Sequence, residues 1–508
     1  MKSKITRREF VRLGGAGVGL ALAPGALAAA PGAGTGGPAS GLSSATPAIA
    51  VPAPQSAPVV APWALDIDGN GVVDGNDRAI IARSLGSVRG FGVRPMPGYD
   101  YRADLRGIGQ VTAEDLEAFD AHAIIGPAAV RPEVICWHYG WYQGARRTDE
   151  LTTATFLGGD YDSHNARFEA DFNDLKNEFG ITAELLSWIS PPSHVDDTLN
   201  NYNRGYFAAA NARTRRFGFL YETTINLGLQ GPVQLWPGST ERQRLVEHFR
   251  GMARRFVDPG IGTTSAGILR IDGRPVIYLF ASHLLGGGSL LPTMDAALAL
   301  QEARQAFIDE AGVPPYLIGD ESPALDDRLD DGRRLRASFF DAVTRYHHYD
   351  EQTVAAFAAD GPVHLGGDYM LRMIEAEQRA LAVFAGLRNR YTGTPVLVIP
   401  SSAAGFAKRG LPPVLASRHD YVAFLRAMRQ IAEQHVAQAN AETPGGARYP
   451  APPVIVGSWN EEFEGHAVFP AARNEAMVPG GFGGFEWLSA IKEVYGSSPL
   501  HGSPPAPA

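Results

Sequence analysis

The chain has 508 residues and a formal net charge of −9, with 45% hydrophobic and 19% charged residues. Its length exceeds what one simple core accommodates and predicts two or three folded units. The negative charge argues against nucleic acid or an anionic membrane surface as a partner and leaves metal ions and neutral polymers open. Because Cys136 is the single cysteine, no intramolecular disulfide can form, and its apolar surroundings in the sequence predict a core residue.

The amino terminus has the pattern of an export signal. Arg7 and Arg8 stand before an uncharged apolar run, rich in Gly and Ala, at 13–30. This pattern resembles a twin-arginine signal peptide, which predicts that residues 1–30 are removed and that the protein is secreted, on the cell surface or in the periplasm. A membrane anchor is the alternative, but the run is short and is interrupted by Pro24. No membrane span is expected after signal removal.

Two further segments lack the composition of a folded domain. Residues 31–64 contain no charged residue and consist mainly of Pro, Ala, Gly and Ser, which predicts a linker. Residues 498–508 are rich in Pro, Ser and Gly and predict a disordered tail.

Residues 66–77 have the spacing of a calcium-binding loop. Oxygen donors occupy loop positions 1, 3, 5, 7 and 12, and Gly71 occupies position 6. Oxygen ligands in this arrangement are what a hard cation such as Ca²⁺ prefers. The predicted metal ligands are Asp66, Asp68, Asn70, Val72 and Asp77.

A weaker copy of this loop starts at Asp104 and has Asp115 at its position 12. Arg106 and Ile108 stand where donors are expected, which leaves open whether the copy binds an ion. Two such loops, each ending in Asp and each followed by one helix, resemble a type I dockerin. The resemblance implies a small all-α module over residues 65–126 that uses Ca²⁺ as a structural cofactor and can dock to a cohesin-type protein.

From residue 133 onward, apolar runs alternate with segments of helical period. Eight runs predict strands: Glu133–Tyr139, Thr182–Ile189, Phe217–Glu222, Pro275–Phe280, Tyr316–Asp320, Ser338–Tyr346, Pro395–Pro400 and Pro453–Trp459. Helices are predicted between them at Phe168–Phe179, Glu241–Phe256, Met294–Ala311, Ile374–Arg388 and Tyr421–Ala437. This alternation predicts a parallel sheet, and eight strands predict closure. The predicted fold class is therefore α/β, a (β/α)8 TIM barrel over residues 133–497 preceded by the small calcium-binding module.

Three carboxylates directly follow the last predicted strand. The carboxyl ends of barrel strands are where catalytic groups lie. Glu461 and Glu464 are three residues apart, so one helical turn would place both side chains on one face. Two carboxylates converging on one pocket are what glycoside cleavage requires. The alternative is that these acidic residues only complement the dipole of the following helix.

Other predicted strand ends carry aromatic and polar residues. An aromatic ring beside a carboxylate suits a sugar, whose C–H face stacks on the ring while its hydroxyls form hydrogen bonds. Core packing is the alternative for each ring taken singly. The predicted substrate-binding residues are Trp141, Tyr142, Tyr161, Asp162, Trp188, Glu222, Tyr278 and Asn460.

Several of these segments resemble glycoside hydrolase family 99 and its relatives. They are Trp141-Tyr142, Tyr161-Asp162-Ser163, Ser187-Trp188, Asp272–Tyr278 and Ser458–Gly465. The resemblance implies an enzyme that cleaves α-mannosides within a chain, with retention and without a catalytic cofactor. It implies that Glu461 takes the proton of the sugar's own 2-hydroxyl, so that a 1,2-anhydro sugar forms, and that Glu464 protonates the leaving oxygen.

The chain also departs from that family. Glu462 and Phe463 stand between the two glutamates, where the family has an aromatic residue and a histidine, and Phe280-Ala281-Ser282 replaces a Tyr-Asp-Ser sequence. The alternative hypothesis is therefore a non-catalytic glycan-binding surface protein that docks through its calcium module.

Overall fold

The structure is a computed structural model, and its described residues all lie in one compact unit, Ala57–Ala508. It describes residues 60–90, 94–142, 154–156, 162–189, 198–228, 235–257, 267–286, 290–321, 331–346, 363–364, 367–405, 414–415, 417–443, 449–460, 467–468, 471–473 and 484–497. The predicted signal, most of the predicted linker and the predicted tail lie outside these residues. Within the described residues, no helix has the length and apolar character needed to cross a membrane.

The amino-terminal module contains two helices, Gly75–Ser84 and Ala113–His122, and a 3₁₀ turn at Pro62–Leu65. The strand Val72–Val73 pairs antiparallel with Gly126–Pro127, so the module is not purely α-helical as predicted. Each helix begins with a capping box in which side chain and backbone groups satisfy each other's hydrogen bonds.

The module has its own apolar core, which begins at Val60 and includes Ile81, Val111 and Phe119. Since Val60 and Ala61 are buried, the last residues of the predicted linker 31–64 belong to the folded module.

Among the described residues, eight parallel strands form the main path of a ten-stranded sheet. They are β1 (Glu133–His138), β2 (Ala183–Trp188), β3 (Arg216–Tyr221), β4 (Arg274–Leu279), β5 (Tyr316–Asp320), β6 (Ala342–Thr344), β7 (Leu397–Val398) and β8 (Pro453–Ser458). Neighbouring strands pair in chain order from β1 to β7, and β8 pairs with β1. After β7, a parallel bridge joins Ser401 to Ile455 of β8. The order is consistent with the predicted (β/α)8 barrel.

Helices alternate with these strands along the chain, and several of them contribute to the apolar core on the outer side of the sheet. They are Ala166–Glu178, Thr198–Arg204, Thr223–Leu227, Thr240–Val257, Leu290–Ala311, Asp331–Ala337, Gly367–Phe384, Arg418–Ala441 and Glu486–Tyr495. Short strands accompany them at Ala154–Phe156 with Ala471–Arg473, Val363–His364 with Val414–Leu415, Gly267–Ile268 and Arg270–Ile271.

Two predicted strands are shorter than expected. The predicted strand Ser338–Tyr346 contains only three strand residues, because Ser338 and Phe340 form turns that continue the helix Asp331–Ala337. The predicted strand Pro395–Pro400 likewise contains only two strand residues.

Alternation along the strands sorts their side chains into an outer and an inner set. Phe217, Phe219 and Tyr221 of β3 face outward and pack in the core shared with the helices. Leu220 and Glu222 therefore face the barrel interior. The helix pair Thr240–Val257 and Leu290–Ala311 closes this core from outside. Full burial of each large apolar side chain stabilises the fold by about 1.5–3 kcal/mol.

Candidate active site

Aromatic rings line the carboxyl-terminal end of the barrel interior. The ring of Trp137 on β1 lies 4.8 Å from that of Tyr346 and 6.1 Å from that of Tyr278. Trp137 Nε1 and the Tyr278 hydroxyl are buried and have no hydrogen-bond partner among the described residues. Since buried polar atoms are nearly always hydrogen-bonded, these two atoms need a polar partner that the described residues do not supply.

A second group of rings continues from this point. The hydroxyls of Tyr139 and Tyr346 are hydrogen-bonded at 2.6 Å, and Phe280 packs edge-on against Tyr346 at 4.7 Å between ring centroids. Trp141 lies 4.4 Å from the ring of Tyr139 and is only partly buried. A ligand that reaches Trp141 thus finds a continuous aromatic surface leading inward.

Glu222 follows β3 directly and is 5% exposed. Its Oε1 accepts a hydrogen bond of 2.7 Å from the hydroxyl of Ser187 on β2. Both side chains point into the barrel because Ser187 alternates with the outward-facing Leu186 and Trp188. The structure thus holds a carboxylate inside the barrel, at the end of a central strand.

Asp320 ends β5 and ties together two neighbouring strand ends. Its carboxylate accepts hydrogen bonds from the backbone N–H of Ala281 (3.0 Å) and of Tyr346 (3.3 Å). Ala281 has a φ of 52°, a left-handed conformation that costs a non-glycine residue about 1–3 kcal/mol. Backbone strain of this kind concentrates at functional sites. His283 lies nearby, with Nδ1 at 3.8 Å from Asp320 Oδ2.

The charges of both carboxylates influence the pKa of Tyr278. Burial raises the pKa of Tyr278 well above its usual value, and the charges of Asp320 and Glu222 raise it further. Burial also raises the pKa of Asp320, which His283 partly offsets. Tyr278 is therefore a neutral hydroxyl group influenced by carboxylates from β3 and β5.

The neighbouring Glu321 differs from Asp320. Its Oε1 accepts hydrogen bonds from Arg336 (2.7 Å) and from the hydroxyl of Ser282 (2.8 Å), and Arg336 is almost fully buried with it. A buried ion pair of this type holds β5 to the helix Asp331–Ala337. Asp320 shares the face of Ile318, which pairs with the inward-facing Tyr278, so Asp320 is the one that points into the barrel.

Asn460 fixes the exit of β8. Its Oδ1 accepts a hydrogen bond from the backbone N–H of Tyr139 (2.9 Å), and its Nδ2 donates to the Tyr139 carbonyl (2.8 Å). The side-chain amide thereby extends the pairing of β8 with β1, and Asn460 is fully buried. Its position is that of a support for the following residues. Glu461 and Glu464 lie outside the described residues.

Two of the remaining predicted binding residues, Tyr142 and Asp162, lie in segments that contact each other. Tyr142 is buried, and its carbonyl accepts a hydrogen bond from the backbone N–H of Ser163, next to Asp162. Asp162 is partly exposed, and its carboxylate accepts a hydrogen bond from the backbone N–H of His164. The segment around Asp162 thus packs against the segment that follows β1. Tyr161 lies outside the described residues.

Trp188 lies apart from the pocket. Its ring stacks on Tyr221 at 5.9 Å and meets the edge of His248 at 5.3 Å, on the outer side of the sheet. The reason is the alternation of the strand, since Ser187 faces inward and the next side chain must face outward. The geometry assigns Trp188 to the packing between β2 and the helix Thr240–Val257 rather than to the pocket.

Trp137, Asp320 and Tyr346 were not among the predicted binding residues, although the structure places them in the pocket. Asp320 ends the apolar run at 316–320, which is the same signal that identified Glu222. For Trp137 and Tyr346 the sequence holds no such signal, because the facing of a fully buried strand depends on its register.

The first loop of the module brings three carboxylates together. Oxygens of Asp66, Asp68 and Asp77 all lie within 4.8 Å of one another. Asp66 Oδ1 is buried without a hydrogen-bond partner among the described residues. Burial raises the pKa of Asp66, and the charges of Asp77 and Asp68 raise it too, although backbone hydrogen bonds oppose them. A bound cation would offset the repulsion between these carboxylates and would give Asp66 Oδ1 a partner. This set of oxygen donors therefore fits Ca²⁺.

The other two predicted ligands lie in the same loop. Asn70 donates through Nδ2 to Asp68 (3.0 Å), and its Oδ1 accepts from the backbone N–H of Val72 (2.8 Å). Asn70, together with the Val72 carbonyl, would complete an oxygen set around a bound cation.

Comparison with known proteins gives a fold likeness only. No protein-family model and no curated protein matches this chain. Among solved structures, a glycoside hydrolase-like protein is 16% identical with a TM-score of 0.49, and the match covers 72% of this chain and 94% of that one. The family 99 endo-α-mannosidase of Bacteroides thetaiotaomicron is 13% identical with a TM-score of 0.43, over 72% and 96%. Similarity at these TM-scores does not indicate the function of this chain.

Proposed function

We propose that the chain is a glycoside hydrolase with its active site at the carboxyl ends of the barrel strands. The observation that carries the proposal is that Glu222 and Asp320 lie at the ends of β3 and β5 and face the barrel interior, as does Tyr278 of the strand β4 between them. The aromatic surface that leads from Trp141 to Trp137 suits the C–H faces of sugar rings. Hydroxyls of the same sugar would bind the buried polar atoms beside it.

Glu461 and Glu464 are the proposed catalytic pair. They follow Asn460 in the sequence, and the Asn460 amide is hydrogen-bonded to the backbone of Tyr139 at the carboxyl end of β8. In the first step, Glu461 takes the proton of the substrate's 2-hydroxyl, whose oxygen attacks the anomeric carbon. The bond to the leaving oxygen breaks, and that oxygen takes the proton of Glu464. In the second step, Glu464 takes a proton from water, which opens the 1,2-anhydro sugar, and the 2-oxygen regains its proton from Glu461. Both steps invert the anomeric centre, so the product retains its configuration.

This scheme requires two different ionisation states at one pH. Glu461 has to be ionised and Glu464 protonated, so the surroundings must separate their pKa values. Two carboxylates that share one site repel each other, which raises the pKa of one of them and is an ordinary cause of such a separation. The proposed substrate is an α-linked polysaccharide that contains mannose and is cleaved internally.

Turnover of defined polymers tests this proposal. The mature full-length protein is incubated with a panel of α-mannans, with β-mannan and β-glucan as controls, and new reducing ends are counted. Internal fragments from an α-mannan are the expected result. Binding of α-mannans without new reducing ends would contradict the hydrolase and favour the glycan-binding protein.

We further propose that the first loop of the module binds one structural Ca²⁺. A cohesin-type partner would dock on the exposed surface of the module.

The proposed export route is the twin-arginine route. Changing Arg7 and Arg8 to lysine should therefore leave the precursor in the cytoplasm, because lysine lacks the planar guanidinium. Unchanged secretion of that variant would refute the route.

A further inference from the structure

The two loops of the module share one pattern of hydrogen bonds. The carboxylate at position 1 accepts from the backbone N–H of the glycine at position 6 in both loops, Asp66 from Gly71 at 2.9 Å and Asp104 from Gly109 at 2.8 Å. The aspartate at position 12 accepts backbone hydrogen bonds in both loops and is fully buried in each. The second loop therefore keeps the conformation of the first.

What differs is the group that faces the first carboxylate. In the second loop, Asp104 Oδ2 lies 3.4 Å from the Lys492 ammonium and accepts a hydrogen bond of 2.6 Å from the Tyr99 hydroxyl. Lys492 also donates to the carbonyl of Tyr101 at 2.9 Å. Lys492 is 2% exposed and Asp104 1%. In the first loop, by contrast, Asp66 Oδ1 has no partner among the described residues.

The second loop does not fit Ca²⁺. Position 3 is Arg106, whose guanidinium lies 3.4 Å from Glu114, and position 5 is Ile108, which is exposed. Neither side chain supplies the oxygen that the ion needs at these positions. Lys492 contacts Asp104 Oδ2, the oxygen that also accepts the Gly109 N–H, and its ammonium gives this buried carboxylate a positive partner without an ion.

Lys492 belongs to the barrel. It lies on Glu486–Tyr495, the last helix, whose end receives further hydrogen bonds from the module. Trp63 Nε1 donates to the Tyr495 carbonyl at 2.7 Å, and Arg131 donates to the same oxygen at 3.0 Å. The last helix of the barrel is thus held to the amino-terminal part of the chain by several buried and partly buried hydrogen bonds.

We propose that Lys492 supplies the positive charge that the second loop would otherwise take from a calcium ion, and that this buried pair fixes the module to the barrel. The module then binds one Ca²⁺, at the first loop, and its second loop folds only with the barrel helix in place. Breaking a buried pair by removing one partner leaves an uncompensated charge, which is strongly destabilising. The module and the barrel should accordingly unfold together.

Calorimetry of the mature full-length protein with Ca²⁺ as the added ion tests this inference. One ion per chain and one unfolding transition are expected for the unmodified protein. Lys492→Met should split off a low-temperature transition, whereas the control Arg94→Met, which removes the exposed pair with Asp171, should not. The double variant Asp104→Asn/Lys492→Met removes both charges and should regain part of the lost thermal stability.

Three results would overturn the inference: two bound ions per chain, a Lys492→Met protein that unfolds like the Arg94→Met protein, or a double variant less stable than Lys492→Met. If Lys492→Met does not fold, the double variant and the ion count of the unmodified protein still decide. None of these measurements depends on glycosidase activity.

Discussion

The two ends of the barrel treat buried charges differently. At the amino-terminal end, Arg89 of the module pairs with Glu178 at 2.6 Å, and both side chains are almost fully buried. At the carboxyl-terminal end, Asp320 is also buried but accepts hydrogen bonds from two backbone N–H groups, and the ring of the exposed His283 lies 3.8 Å away. The amino-terminal end uses opposite charges to hold two parts together, whereas the carboxyl-terminal end, besides the Arg336–Glu321 pair, holds Asp320 and Glu222 by hydrogen bonds from backbone N–H groups and from the Ser187 hydroxyl.

The difference indicates a division of roles. Paired buried charges fix geometry and leave nothing for a ligand. The buried Trp137 Nε1 and the Tyr278 hydroxyl, in contrast, lack partners among the described residues, and Tyr278 lies on β4, between the strands that end in Glu222 and Asp320. In (β/α)8 barrels, chemistry lies at the carboxyl ends of the strands and stability at the other end. Substitutions at the two ends should thus separate turnover from stability.

The largest effect is expected at the carboxyl end. Glu464→Gln and Glu461→Gln should each lower kcat on α-mannan at least about 10²-fold, since each removes a group that transfers a proton. With an activated leaving group, Glu464→Gln should recover most of its rate and Glu461→Gln should not, because only the second lacks the base for the first step. The matched control is Glu462→Gln, the carboxylate between them. Equal rates for all three variants would contradict the proposal that Glu461 and Glu464 are the catalytic pair.

At the amino-terminal end, Arg89→Met should lower stability and leave kcat unchanged. The methionine keeps the contact with Phe485, over which Arg89 lies at 4.0 Å, but leaves Glu178 buried without its main partner. Removing one partner of a buried pair costs about 3–5 kcal/mol. The exposed pair Arg78–Asp120 offers the control, and Arg78→Met should unfold like the unmodified protein.

The same variant should show a particular pH dependence. Burial raises the pKa of Glu178, and Arg89 opposes this rise. Without Arg89, the pKa in the folded state rises further above that of the unfolded state, which is about 4.3. A group with a raised folded pKa loses its stabilising effect as pH increases, so Arg89→Met should be more destabilised near pH 7 than near pH 4. Denaturant unfolding at the two pH values measures this, and an equal loss at both would contradict it.

A smaller effect on turnover is expected from Glu222→Gln. The glutamine can still accept from Ser187 but loses the negative charge beside Tyr278. Loss of a charge-assisted hydrogen bond is worth about 1.5–3 kcal/mol, so kcat/KM should fall about tenfold or more. Unfolding temperatures should stay near that of the unmodified protein. A variant with normal kcat/KM would show that Glu222 does not face the substrate.

The sequence predicted the alternation of strands and helices because buried strands and amphipathic helices have distinct periods. It did not predict which rings face inward, since Trp137 and Trp188 both lie in fully buried strands and only the pairing register separates them. Nor did it predict the fixed module. Lys492 and Asp104 are 388 residues apart, and only the folded chain brings them together.

The most direct test of the proposed catalysis uses a substrate methylated at the 2-position of the sugar whose bond is cleaved. The matched control carries the methyl group at the 6-position, and competition with α-mannan shows that both compounds bind. If the 2-hydroxyl is the nucleophile and Glu461 its base, the 6-methylated compound is cleaved and the 2-methylated one is bound but not cleaved. Cleavage of the 2-methylated compound at a comparable rate would contradict the account.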